Sequence, residues 1–196
     1  MNKLLIATNN RHKVEEIKHL IASLSFDVMS LRDIPNAPVT DEDQPTLEGN
    51  ALKKAREAHK TSGLLTLADD TGLECYYLAL APGVISARYA GENATYDDNN
   101  RKLLKALKGV PPRHRNARFR TVVAIVGKNI EKIFEGRVEG RILEQPRGMN
   151  GFGYDPIFQP KGFAKSYAEL TIEEKNTLSH RADAINKATE YLKTLQ

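Results

Sequence analysis

The chain has a single cysteine, Cys75, so no intramolecular disulfide and no Cys-rich zinc site can be built from it. Long apolar runs are missing too. Nothing approaches the roughly 18 residues that span a bilayer, and the opening run Leu4, Leu5, Ile6, Ala7 is shorter than the apolar part of a secretory signal. The expectation is a cytoplasmic protein with no membrane contact. Charge of one sign is scarcely in excess, since 29 Lys plus Arg against 25 Asp plus Glu leave +4 over 196 residues, too mild a surplus to point to nucleic acid. Repeats and low-complexity segments are absent. What is present is 40% apolar and 28% charged residues, the composition of a folded chain rather than a disordered one. The length suits one domain or two small lobes, and a single domain over residues 1–196 is the expectation.

The run Lys3 to Thr8 stops at Asn9-Asn10 and is followed by Val14, Ile17, Leu20, Ile21 and Leu24 at helical spacing, a buried strand feeding a helix. Phe26 to Leu31 fits a second strand. Asp33 to Pro45, with three prolines and four acidic residues, reads as an exposed loop. Thr46 then caps a helix with core face Leu47, Ala51, Leu52, Ala55 and Ala58, ending at Gly63. Leu64 to Ala68 predicts a strand that ends in the turn Asp69-Asp70-Thr71-Gly72. A helix over Asp97 to Lys108 stops at Gly109 and a double proline, and Phe119 to Val126 and Ile130 to Leu143 form a hairpin through Gly127-Lys128-Asn129. Gly148, Gly151 and Gly153 mark an irregular loop, Thr171 and Glu174 have capping-box spacing, and a last helix starts at Ser179. The order of elements predicts an α/β chain with an elongated mixed β-sheet flanked by helices, in two lobes with a central cleft.

Five segments carry candidate chemistry. The turn Thr8-Asn9-Asn10-Arg11-His12-Lys13 opens a helix, where free N–H groups and the helix dipole favour an anion; it is no Walker A loop, and Asn9 or Asn10 acting only as a cap is the plainer alternative. Asp69 and Asp70 are adjacent on a strand and so point to opposite sides; one can hold Mg²⁺ or accept a proton from water, unless the pair is only a turn. The acidic loop Asp41-Glu42-Asp43 offers a further metal ligand or is merely solvated. In Gly151-Phe152-Gly153-Tyr154-Asp155-Pro156 two aromatics on a glycine-rich turn suit stacking on a base, or they are buried. Lys175, His180 and Arg181 surround the last helix start, where the dipole disfavours cations, a conflict that marks either a site or a solvated helix end capped by Ser179. The cluster Arg113, His114, Arg115, Arg118, Arg120 would suit nucleic acid, but Arg118 and Arg120 flank Phe119 in an alternating pattern that describes a polar strand face more simply.

Together these segments resemble the inosine triphosphate pyrophosphatase (Ham1-like) family. The likeness covers nearly the whole chain and keeps the order Ala7-Thr8-Asn9-Asn10 with Lys13, Thr46-Leu47-Glu48-Gly49-Asn50-Ala51 with Lys54-Ala55, Ala68-Asp69-Asp70-Thr71-Gly72-Leu73, Pro82-Gly83-Val84 with Ser86 to Gly91, Gly151 to Pro156, and Ala168-Glu169-Leu170 with Glu174-Lys175-Asn176 and Ser179-His180-Arg181. The resemblance implies hydrolysis of ITP, dITP and XTP to the monophosphate and pyrophosphate, with Mg²⁺, by a homodimer. It implies that Thr8, Asn9, Asn10, Arg11, His12 and Lys13 bind the triphosphate, with Lys13 the main cation. Asp70 is then the catalytic carboxylate, metal ligand and base for the attacking water, and Thr71 touches substrate. Phe152, Gly153, Tyr154 and Asp155 position the purine, while Lys175, His180 and Arg181 recognise it. The family's Glu-Glu-Thr-Gly stretch is replaced here by Asp41-Glu42-Asp43-Gln44; Glu42 is favoured as the second metal ligand by its distance from Asn50, with Asp41 the alternative. Two competing classes remain, a Maf-like pyrophosphatase of modified or pyrimidine nucleotides and a non-catalytic nucleotide- or RNA-binding protein.

Overall fold

A computed structural model describes residues 2–195. Seven strands, β1 (Asn2–Ile6), β2 (Phe26–Ser30), β3 (Leu65–Cys75), β4 (Pro82–Gly83), β5 (Asn116–Gly127), β6 (Ile130–Ile142) and β7 (Phe158–Pro160), form one sheet in the order β2-β1-β3-β5-β6-β7, with β4 on β3. The sheet is mixed, as expected. β1 runs parallel to β2 and β3, with Leu4 opposite Val28 and Leu65, whereas β4 pairs antiparallel with Leu73 and Glu74 and β7 antiparallel with Gly140 to Ile142. Leu4, Leu5 and Ile6 are all fully buried, as befits a parallel strand between neighbours. The helices are α1 (Arg11–Leu20), α2 (Leu47–Ser62), α3 (Tyr96–Ala106), α4 (Ile172–Asn176) and α5 (His180–Lys193). None is long and apolar enough to cross a membrane among the described residues.

Local chemistry sets the helix ends. Thr46 accepts from Gly49 N–H at the start of α2, and Gly63 closes it at φ +69°, a left-handed position that costs a side chain-bearing residue energy. Thr95 and Asp98 form a capping box on α3, and Thr171 and Glu174 form the expected one on α4. β5 and β6 are joined through Lys128 and Asn129, the latter at φ +61°.

The predicted turn at Asp69-Asp70-Thr71-Gly72 is a correction. β3 runs straight through it to Cys75, because the strand continues into pairing with β4 and because both carboxylates are met by cations that let them stay in a buried strand. β4 and β7, too short to show periodicity, were not predicted.

The chain divides into two compact units, the first comprising residues 1–70, 121–136 and 181–196, the second 71–120 and 137–180. Each has its own core. In the first, Ile17 of α1 and Ile21 just after it, and Ala184, Ile185, Ala188 and Leu192 of α5, pack on Leu4, Ile6, Leu67, Val123 and Ile125 of the sheet. In the second, Phe119 is central: Phe158 meets it edge-on at 4.7 Å and His180 stacks on it at 4.4 Å, with Leu73, Leu103, Ile157 and Tyr167 in the same cluster. The basic cluster is also resolved here. Arg118 and Arg120 pair with Glu74, and Arg115 is buried, donating to the carbonyls of Leu107, Ile142 and Leu143 at 2.7–2.8 Å. Arg115→Leu strands these carbonyls, and urea unfolding is expected to show a loss of about 3 kcal/mol.

Candidate active site

Period-two alternation along β3 sends Asp69 to the side of Leu67, which packs against α1 and α5, and Asp70 to the opposite side. Asp69 Oδ2 lies 3.0 Å from Lys13 Nζ of α1 and 3.2 Å from Arg181 Nε of α5, and Arg181 Nη1 reaches Glu16 at 2.5 Å. Burial pushes the Asp69 carboxyl up, but Lys13, Arg181 and Lys54 outweigh it and hold it well below the usual range. Burial lowers the pKa of Lys13. On the other side, Asp70 Oδ1 accepts from Lys54 Nζ at 2.8 Å and its Oδ2 from Asn50 Nδ2 at 3.3 Å; both partners stand on α2 one turn apart. Lys54 also donates to Glu42 at 2.7 Å. Burial raises the Asp70 carboxyl above its ordinary value. Against the burial that disfavours its charge, Asp70 and Glu42 hold the Lys54 ammonium above its ordinary pKa.

The start of α1 shows the capping reading of this turn. Asn10 caps it, accepting from the N–H groups of His12 at 3.0 Å and Lys13 at 3.3 Å, while Thr8 Oγ1 accepts from Asn10 N–H. Asn9, Arg11 and His12 are exposed, and Lys13 is drawn onto Asp69 rather than solvated.

In the second unit the glycine-rich loop is fastened by Asp155, whose Oδ2 accepts from Phe152 N–H at 2.9 Å and from Lys175 Nζ at 2.7 Å. Gly151 is required there: it sits at φ +72°, and a Cβ would lie 2.1 Å from Asp155 Oδ2. Asn100 holds the Gly153 carbonyl at 3.0 Å. The Lys175 ammonium is 4.9 Å from the centre of the Phe152 ring and 5.6 Å from that of Tyr167, cation–π distances. The two aromatics of the loop part ways. Phe152 is half-buried, whereas Tyr154 is buried with its hydroxyl on the Ser86 carbonyl, and burial pushes that hydroxyl's pKa up.

A model of the Ham1 family matches residues 4–191. The chain belongs to the Ham1 family. It is 50% identical over 190 residues to the dITP/XTP pyrophosphatase of Thermoanaerobacter sp. (strain X514), covering 97% of this chain and 96% of that one, and 48% identical over 192 residues to the dITP/XTP pyrophosphatase of Porphyromonas gingivalis (strain ATCC BAA-308 / W83), covering 98% of each. The solved structure of a HAM1 protein from Coxiella burnetii superposes with a TM-score of 0.90 at 38% identity, covering 99% of this chain and all of that one.

Against this Ham1 framework, the first unit brings together Lys13, Glu42, Asp70 and Arg181 of the expected residues, and the second brings together Phe152, Gly153, Asp155 and Lys175. Thr71 lies half-buried in β3, one residue beyond Asp70, and His180 is buried against Phe119. Arg181, expected at the purine, is placed on Asp69 and Glu16, with a side chain only 2% exposed. Asp41 is exposed, and it is Glu42 that shares Lys54 with Asp70. Three residues of this machinery went unassigned from the sequence: Glu16, Asn50 and Lys54. Their signal is positional. Asn50 and Lys54 fall on the stripe of Leu47, Ala51, Ala55 and Ala58, and Glu16 falls beside Ile17, so all three are polar groups on a core face.

Replacing Asp69 by Asn leaves Lys13 and Arg181 without their shared anion and is expected to cost about 3 kcal/mol at neutral pH. Because the folded carboxyl titrates below its ordinary 3.8, its stabilisation is complete above that value and is lost as pH falls beneath it. Urea midpoints of the wild type and Asp69→Asn should therefore begin to converge only below about pH 4 and meet well beneath it.

Proposed function

We propose that this protein hydrolyses non-standard purine nucleoside triphosphates, ITP, dITP and XTP, to the monophosphate and pyrophosphate. The observation that carries the reading is the pair Glu42 and Asp70 converging on one ammonium, Lys54, in a chain whose relatives at about half identity are dITP/XTP pyrophosphatases. Two carboxylates drawn to one cation are the donor set that Mg²⁺ takes, since it uses one or two protein carboxylates and fills its other positions with water and phosphate oxygens. Glu42 and Asp70 would hold Mg²⁺, which when bound would neutralise phosphate charge and polarise the phosphorus under attack.

The chain's own groups supply the rest. Lys13 and the α1 N-terminal turn, Thr8 to His12, bind the polyphosphate, where the dipole and exposed cations attract it. Asp70, its carboxyl raised by burial, takes the proton of the attacking water as the bond between the α- and β-phosphates breaks and pyrophosphate leaves. Lys54 and Asn50 hold both its oxygens in place. Thr71 touches substrate beside it. Phe152 stacks on the purine, with Gly153, Tyr154 and Asp155 shaping the loop beneath it. Lys175 and His180 lie on the side of the 6-keto oxygen; an adenine amino group there would set donor against donor, which gives large discrimination.

With dITP or XTP and Mg²⁺ the products should be monophosphate and pyrophosphate; orthophosphate release, or turnover confined to pyrimidine nucleotides, would sink the assignment. Asp70→Asn is expected to lower kcat by about a thousandfold while nucleotide binding survives, and EDTA should abolish turnover.

A cytoplasmic homodimer belongs to the same proposal. The support for a dimer is the exposed apolar side chains Tyr76, Tyr77, Leu80 and Ile85 in the second unit. Light scattering should give about twice the 21.9 kDa chain mass for the wild type, and a Tyr77→Glu, Ile85→Glu variant should fall to one.

A further inference from the structure

Four charged groups of the first unit form one buried chain: Glu16 to Arg181 at 2.5 Å, Arg181 to Asp69 at 3.2 Å, and Asp69 to Lys13 at 3.0 Å. Two anions and two cations sum to zero, which is what allows them to remain out of water. They are not equivalent. The Glu16, Arg181 and Asp69 side chains are at most 7% exposed, while that of Lys13 is 14% exposed. Lys13 and Arg181 share a single oxygen, Oδ2 of Asp69. Asp69 therefore cannot turn without losing both contacts, and Arg181 is itself fixed from its far side by Glu16. An ammonium has three N–H donors, and Asp69 takes one of them.

We propose that Glu16 and Arg181 are positioning residues for Lys13: they clamp Asp69 so that Lys13 is held at a fixed point with its remaining donors turned to an incoming phosphate group. This rests on the assignment of Lys13 to the phosphates, and it gives Arg181 a task different from reading the purine. The physical benefit is preorganisation. A lysine has about 2 kcal/mol of rotamer entropy to lose when it binds an anion, and a clamped lysine has lost it during folding.

Removing Arg181 alone would take from the buried Glu16 its Arg181 partner and risks the fold. The variant to use is the double Glu16→Gln, Arg181→Gln, which keeps the chain of polar groups and the neutral sum. Its dissociation constant for pyrophosphate, by titration calorimetry, is expected to rise about tenfold, with KM for dITP rising in parallel, while affinity for inosine is unchanged. In a Lys13→Ala background the same double substitution should change pyrophosphate affinity less than about twofold, because the group it positions is gone. An equal loss with and without Lys13 would mean a general structural effect and overturn the proposal; so would a loss confined to inosine, which would put Arg181 at the base. If the wild type bound pyrophosphate but failed to hydrolyse dITP, the functional assignment would fall while the calorimetric cycle still decided the clamp. A wild type that binds no pyrophosphate would overturn it.

Discussion

Everything in the first unit turns on two consecutive carboxylates in the middle of a buried strand. A β-strand alternates faces, so Asp69 and Asp70 cannot share a neighbourhood, and each must find its own counter-charges. Asp69 finds them on α1 and α5, Asp70 on α2. Three helices are thereby tied to one point of the sheet by charge as well as by packing. Leaving either carboxylate without a cation would cost several kcal/mol, so the positions of Lys13, Arg181 and Lys54 are consequences of the Asp-Asp pair as much as features of their own helices.

The same alternation separates tasks. The Asp69 side is a neutral cluster, buried except at Lys13. The Asp70 side keeps an acidic group that burial has made more basic and a second carboxylate, Glu42, on a loop. The second unit repeats the device at smaller scale. One buried pair, Lys175 with Asp155, fixes a glycine-rich turn, and the ammonium is further held against the Phe152 and Tyr167 rings. In both units a lysine is placed by a buried carboxylate before any ligand is considered.

Much of this was legible in the amino-acid order. The caps Thr46 and Thr171, the stop at Gly63, the β5–β6 hairpin and the positive-φ glycines 148, 151 and 153 were readable because each is a local rule, satisfied within a few residues. The motif order carried the family. What failed was also local in form: Asp69-Asp70-Thr71-Gly72 has the composition of a turn, and nothing within four residues says that Lys13, Lys54 and Arg181 will arrive to neutralise it. Glu16, Asn50 and Lys54 were passed over because polar residues on a core stripe look like imperfections of the pattern until their partners are known.

The sequence by itself determined which residues are available, where the helices begin and end, and the family to which the chain belongs. Tertiary structure decided the pairings. It put Arg181 on Glu16 and Asp69, 165 and 112 positions away in the chain, chose Glu42 over Asp41 for Lys54, and buried Tyr154 while leaving Phe152 half open. The reason is that capping, turn and periodicity rules act over a few bonds, whereas the cost of a buried charge is settled only by whichever opposite charge the folded chain brings within a few ångströms.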